Sequence, residues 1–206
     1  MLKRIGLYFT LLFLPTVLIA QNPQSATGGE GSLRAGGEFS TFNPDYGCPN
    51  ASPFQCGGNQ LLGPTLFFDL DPRAKWGAEG EARWLDWHGS GGEKMSNYLM
   101  GGHYRVWRYQ RTDFWLKMLL GGGWFTTPNY PQAGTLKGSY FAMVPGASVE
   151  YPFTRRFSLR GDYEYQIWPS FVGPPSYNSA GVLVQHNNGL TPNGFSVGVS
   201  YRILGQ

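Results

Sequence analysis

Gly194-Phe195-Ser196-Val197-Gly198-Val199-Ser200-Tyr201-Arg202-Ile203 decides how the rest of this chain is read. Side chains along a strand alternate with a period of two. Phe195, Val197, Val199, Tyr201 and Ile203 therefore share one face, and Gly194, Ser196, Gly198, Ser200 and Arg202 share the other. One face is apolar and the other small or charged. Function turns on which of them meets oil.

Working outward, the same alternation recurs seven times: near Leu33–Phe42, Leu61–Leu70, Lys75–Trp87, Tyr98–Trp107, Phe114–Trp124, Phe141–Tyr151 and Phe157–Trp168. No convincing helical period follows the leader. Eight antiparallel strands in up-and-down order, an all-β barrel that closes its last strand on its first, are the simplest arrangement. Connections alternate in length. Asp71–Arg73, Arg108–Asp113 and Pro152–Arg155 are short and the other four are long, so short turns gather at one end and long loops at the other. Pro145 has no N–H to give a ladder and predicts a bulge or an edge.

Composition agrees. The 206 residues are 14% charged and 16% aromatic with 30 Gly, too polar for a bundle of membrane helices and too aromatic and glycine-rich for an ordinary helical domain. Met1 to Ala20 reads as a secretory signal, with Lys3 and Arg4 before an apolar run that is short for a membrane span. Residues 21–32, rich in Gly, Ser and Gln, read as a flexible lead-in to a single domain over 33–206. The formal charge of +3 becomes +1 once Lys3 and Arg4 are removed, so no nucleic-acid partner is expected. Cys48 and Cys56, a close pair in an exported chain, predict a local disulfide. No metal or cofactor motif is present, and none is expected to be needed.

A soluble lipid-binding barrel keeps apolar side chains inside, whereas a transmembrane barrel turns them out. The grouping of short turns and long loops favours the transmembrane form, as do the Trp, Tyr and Phe residues near strand ends on the apolar face. The polar face carries Glu38, Asp69, Glu79, Glu81, Glu150, Asp162 and Glu164 against Arg34, Arg83, Arg105, Lys117, Arg160 and Arg202. The interior of an eight-strand barrel is just wide enough to be filled by side chains. Charges there persist only when paired. The sequence therefore predicts an internal ionic network of Glu38, Glu79, Glu81, Arg83, His103, Arg105, Lys117, Glu150, Arg160, Asp162, Glu164 and Arg202, with Phe195, Val197, Val199, Tyr201 and Ile203 against lipid. Gly36, Gly77, Gly101, Gly121 and Gly198 share the inward face and would make room for the long side chains.

With its leader, its closing strand and the segments Gly80-Glu81-Ala82-Arg83-Trp84 and Leu159-Arg160-Gly161-Asp162-Tyr163-Glu164-Tyr165, the chain resembles the small outer-membrane β-barrels. It is similar to the transmembrane domain of outer-membrane protein A and to the opacity-type porins. The resemblance implies residence in the outer membrane of a Gram-negative bacterium, contact with its lipids, and insertion by the outer-membrane assembly machinery, which recognises an amphipathic final strand. Here Leu204, Gly205 and Gln206 follow Ile203, past the usual terminal aromatic, and no periplasmic peptidoglycan-binding domain is expected after the barrel.

The long loops, with Tyr46, Phe54, Tyr130, Tyr177 and Asn187, are where an extracellular ligand would bind. His88-Gly89-Ser90, with Glu93 nearby, offers a base and a nucleophile and resembles the His-x-Ser pair of outer-membrane lipid A deacylases. The arginine and aromatic residues before it do not match that family's spacing, so loop composition is the stronger reading and no enzymatic activity is expected. A small-conductance pore is a further alternative.

Overall fold

The computed structural model describes residues 31–45, 60–72, 75–86, 93–126, 137–172, 176–177, 183–184 and 189–205. The leader, Cys48, Cys56, His88, Ser90 and His186 lie outside the described residues.

Period-two alternation over 9 to 16 residues is too long and regular for anything but strands, and eight of them close into one sheet. These are β1 (Ser32–Asn43), β2 (Leu61–Asp71), β3 (Trp76–Leu85), β4 (Lys94–Tyr109), β5 (Thr112–Thr126), β6 (Lys137–Pro152), β7 (Phe157–Tyr165) and β10 (Asn193–Leu204). Each pairs antiparallel with its sequence neighbour along the barrel, and β10 pairs antiparallel with β1 from Asn43↔Asn193 to Leu33↔Leu204. The last strand thus closes on the first. Closure removes the sheet edges that lipid could not satisfy. A two-stranded ladder of β8 (Ser176–Tyr177) and β9 (Leu183–Val184) sits in the segment read from sequence as plain loop.

Burial follows the alternation. Leu66, Phe68, Leu70, Met100, Leu116, Met118, Phe141, Leu159, Phe195 and Val197 are exposed on the outer wall, Met100 at 72%. Aromatic residues bracket this wall. Trp84, Tyr98 and Trp124 form one edge-on series near the loop end, tied by a hydrogen bond from Trp84 Nε1 to Tyr98 Oη (3.0 Å). Trp76–Tyr104 and Trp107–Phe114 stand near the turn end. Phe114 and Trp124 lie ten residues apart on β5, about 33 Å along a strand. A typical tilt of ~40° reduces that to about 25 Å of height, the thickness of the apolar band of an outer-membrane barrel.

Four local readings change. Asp71, read as a turn residue, ends β2 and points inward. The connection between β4 and β5 narrows to Gln110–Arg111, with Gln110 at φ 52°. Trp107, placed on the inward face by alternation, lies outside because a register shift between Arg105 and Trp107 inserts Val106 and flips the parity beyond it. Pro145 makes neither a bulge nor an edge: it stands opposite Met118 in an unshifted β5–β6 ladder. Its missing donor shows only towards β7, where pairing stops at Gly146↔Glu164 and resumes in the same register at Met143↔Ile167.

Candidate functional site

The barrel interior is two stacked plugs of different chemistry. The first fills the turn end and middle, where inward positions of β1, β2, β3, β4, β5, β6 and β7 bring charges together in tiers. Nearest the turns, Arg34 reaches Asp71 (2.9 Å) and Asp69 (3.5 Å) and also pairs with Glu150. Beside it His103 sits between Asp71 (Nε2, 2.5 Å) and Glu79 (Nδ1, 3.3 Å), with its ring 4.7 Å from that of Trp115. Both nitrogens face acceptor-only groups, an arrangement that uses a proton on each.

Arg160 forms the next tier. Its guanidinium contacts Asp69 and Glu79 at 2.8 Å, Asp162 at 3.0 Å and Glu38 at 3.4 Å, and lies 4.0 Å over the Phe67 ring. Lys117 follows, its Nζ 2.7 Å from Asp162 and Glu164, 3.0 Å from Glu79 and 3.4 Å from Glu81. Arg83 completes the column, held by Glu164 (2.7 Å), Glu81 and Thr65 Oγ1 (3.1 Å), and covering the Phe42 ring at 4.1 Å.

The sequence-predicted residues divide as follows. Glu38, Glu79, Glu81, Arg83, His103, Lys117, Arg160, Asp162 and Glu164 meet in one continuous network. Glu150 joins it through Arg34 and accepts a hydrogen bond from Ser200 (2.5 Å). Arg105 stays at the turn-end rim, 3.6 Å from Asp113. Arg202 also stays at the rim, its Nε without a hydrogen-bond partner. Phe195, Val197, Val199, Tyr201 and Ile203 are all exposed on the outer wall. Asp71 was missed, although it lies two residues beyond Asp69 and so on the same face.

With Arg105 and Arg202 outside and Asp71 inside, the buried charges no longer balance. Eight carboxylates (Glu38, Asp69, Asp71, Glu79, Glu81, Glu150, Asp162 and Glu164) surround four fixed cations and His103. Each cation is shared among several acids. The clusters Asp69–Glu79–His103 and Glu79–Glu81–Asp162 have the spacing of metal ligands, but Arg160 and Lys117 reach into both. Among the described residues, the void beside Arg34, Asp69, Trp115 and Arg160 is too narrow for a water molecule.

The second plug is apolar and fills the loop end. Phe42, Leu61, Leu85, Met95, Leu99, Leu119, Phe125, Ala142, Val144, Trp168, Phe171 and Leu190 form one buried cluster. β7 ends as a regular strand at Tyr165, yet its register continues to Trp168, which pairs with Leu190. That bridge carries the Trp168 ring inside, where its Nε1 and Asn97 Nδ2 both donate to Gln166 Oε1 (3.0 and 3.1 Å). Tyr140 packs over Phe171 and Trp168 at 4.8 and 6.0 Å. Above it a cleft of about 370 Å³ lies among Asp45, Ile167, Pro169, Gly189 and Thr191. Glu93, just before β4, is buried, and burial raises its carboxyl above the usual range. His88 and Ser90 lie outside the described residues, so the proposed pairing with Glu93 has no geometry to report.

No family model and no curated protein matches the chain in sequence. Solved structures match its shape. Neisserial surface protein A aligns with a TM-score of 0.56 at 10% identity, over 83% of this chain and 96% of that one. The outer membrane protein OprG of Pseudomonas aeruginosa gives 0.53 at 14% identity, covering 85% and 97%. The N-terminal β-barrel domain of OprF from the same organism gives 0.52 at 12%, covering 85% and 100%.

Proposed function

We propose that this chain, whose fold is that of the small outer-membrane β-barrels, is an integral protein of the outer membrane of a Gram-negative cell. It works as a closed scaffold with a structural or surface-interaction role. The observation that carries the reading is the filled interior: among the described residues an ionic column backed by an apolar plug occupies the barrel axis, which argues against transport down it. What remains available to a partner is the loop end, where the wall strands hold connecting segments on a rigid base. The outward apolar wall supports lipid as its solvent. On this reading the barrel carries out no catalysis, and lipid A acyl chains should be identical in cells with and without it.

The test is fractionation combined with gel mobility and conductance. The protein should sediment with outer membranes and migrate differently when unheated. In planar bilayers it should give no large, steady current. Recovery as a soluble periplasmic protein would overturn the membrane assignment, and sustained conductance would overturn the closed scaffold.

A further inference from the structure

The turn end of the barrel carries a charge feature that the ionic column does not use. Arg155 and Arg156 lie in the turn between β6 and β7, and the backbone bond from Arg202 N to Arg156 O (2.8 Å) draws that turn against the end of β10. Beside this junction the β1–β10 register shifts, from Arg34↔Arg202 to Leu33↔Leu204, leaving Ile203 as an extra residue. Gly205 follows at φ 98°, a conformation open to glycine. Together these open a cavity of about 590 Å³ lined by Arg155, Arg156, Arg202, Ile203, Leu204 and Gly205. That is within the range of small-ligand sites.

Its chemistry is one-sided. Among the described residues no carboxylate lies within ion-pair distance of Arg155, Arg156 or Arg202, although every cation of the column is shared by several acids. Among the same residues Arg156 reaches Tyr201 Oη (3.1 Å), and Arg202 Nε has no hydrogen-bond partner. The wall below is apolar and aromatic: Phe153 and Phe157 stack at 6.2 Å, Phe157 meets Tyr201 at 5.1 Å, and Leu204 is exposed. Such an aromatic collar marks the level at which a bilayer passes from acyl chains to headgroups. Arginine is the side chain best shaped to hold phosphate oxygens in pairs.

We infer that Arg155, Arg156 and Arg202 form a binding site for the phosphate of an anionic phospholipid in the leaflet at the turn end. The lipid's head enters the cavity and its acyl chains lie along Phe157, Tyr201 and Leu204. The inference rests on the membrane reading above and adds a lipid class and a location to it. A zwitterionic head brings its own cation towards three guanidiniums that no carboxylate among the described residues neutralises, so net negative charge is what the site selects. The apolar collar separates a lipid from a soluble phosphate ester.

The test uses the full chain, folded in detergent and titrated with phosphatidylglycerol, phosphatidylcholine or glycerol 3-phosphate, with bound species counted by native mass spectrometry. Phosphatidylglycerol should be retained over phosphatidylcholine. The triple variant Arg155→Gln, Arg156→Gln, Arg202→Gln should lose about a hundredfold in affinity, taking about fivefold per arginine. A second triple variant with the same charge change elsewhere on the rim, Lys75→Gln, Arg108→Gln, Arg111→Gln, should keep the binding. Equal retention of the two lipids, equal loss in both triple variants, or glycerol 3-phosphate competing as well as the lipid would each overturn the site. Heat-dependent gel migration reports the barrel separately, so a folded barrel indifferent to phosphatidylglycerol sinks this inference and leaves the membrane reading standing. If the first triple variant does not fold, Arg155→Gln and Arg156→Gln singly, both in an exposed turn, decide it.

Discussion

Lys117 has three protons to offer and four carboxylates within 3.4 Å. Such sharing means that removing one cation strands several buried acids rather than one. Arg160→Ala is expected to cost about 3–5 kcal/mol of unfolding free energy, the range for breaking a buried pair, and Lys117→Met at least as much. By contrast, Arg108→Ala removes a guanidinium more than half exposed and bound to Asp113 (2.5 Å), and should cost under about 1 kcal/mol. Urea unfolding in lipid vesicles measures all three, and equal midpoints for Arg160→Ala and Arg108→Ala would contradict the buried column. Much of this column was legible at the level of single residues, because parity alone assigns a side chain to a face. It failed where parity was not carried far enough, at Asp71, and where an inserted residue reversed it, at Trp107. Which acid meets which base was not legible, since those pairs join residues as far apart as Glu38 and Arg160.

β3 shows how one element divides its work between two environments. Gly77 and Gly80 have opposite parity. A Cβ on Gly77 would collide with His103 Nε2 and Asp71 Oδ1, whereas one on Gly80 would meet nothing within 4 Å. Gly77→Ala should therefore destabilise the barrel by about 1–3 kcal/mol through overpacking, while Gly80→Ala should be neutral or stabilise by up to about 1 kcal/mol through lower unfolded-chain entropy. Paired unfolding curves check the sign of each. The expectation that inward glycines make room for charged side chains holds at Gly77. Gly101 and Gly121 have a different neighbour: a Cβ there would strike backbone oxygens of Met118 and Tyr98 on the next strand. Close approach of strands is a property of curvature, and no local pattern reports it. The ladder gap at Pro145 is similar, because a proline's missing donor matters only on the side where the partner strand expects it.

For the whole molecule, strand number, order, closure and sidedness were legible because each follows from a repeated local rule: period two, alternating connection length, and aromatic residues at strand ends. The apolar plug was not. Leu99 and Leu119 were already on the inward face, but their role emerges only when the loop ends of β1 to β6 converge with Trp168, Phe171 and Leu190. The plug makes a separate prediction. Trp168→Ala removes the largest side chain of the cluster and its bond to Gln166, and should cost about 3–5 kcal/mol. Bilayer recordings of that variant should still show little current, because the ionic column remains. Large conductance from Trp168→Ala alone would mean that the column does not seal.

The distribution of charge between the two ends bears on how the barrel crosses its membrane. Outside the column, the turn end carries Lys75, Arg105, Arg108, Arg111, Arg155, Arg156 and Arg202 against Asp113. The connecting segments at the other end carry no Lys or Arg: 44–60, 86–93, 127–136 and 166–192 hold only the acids Asp45, Asp86 and Glu93. A charge taken through hydrocarbon is costly, whereas Asn, Ser and Gly cost less and aromatic groups are favoured at both boundaries. Insertion with the loop end leading would take three acids and, at the strand ends, Lys94 and Lys137 across the bilayer but none of the rim arginines, which would stay on the side from which the chain arrived. For a barrel inserted that way round, the same asymmetry would oppose the reverse passage, an electrostatic barrier that adds to the closed sheet in holding its orientation.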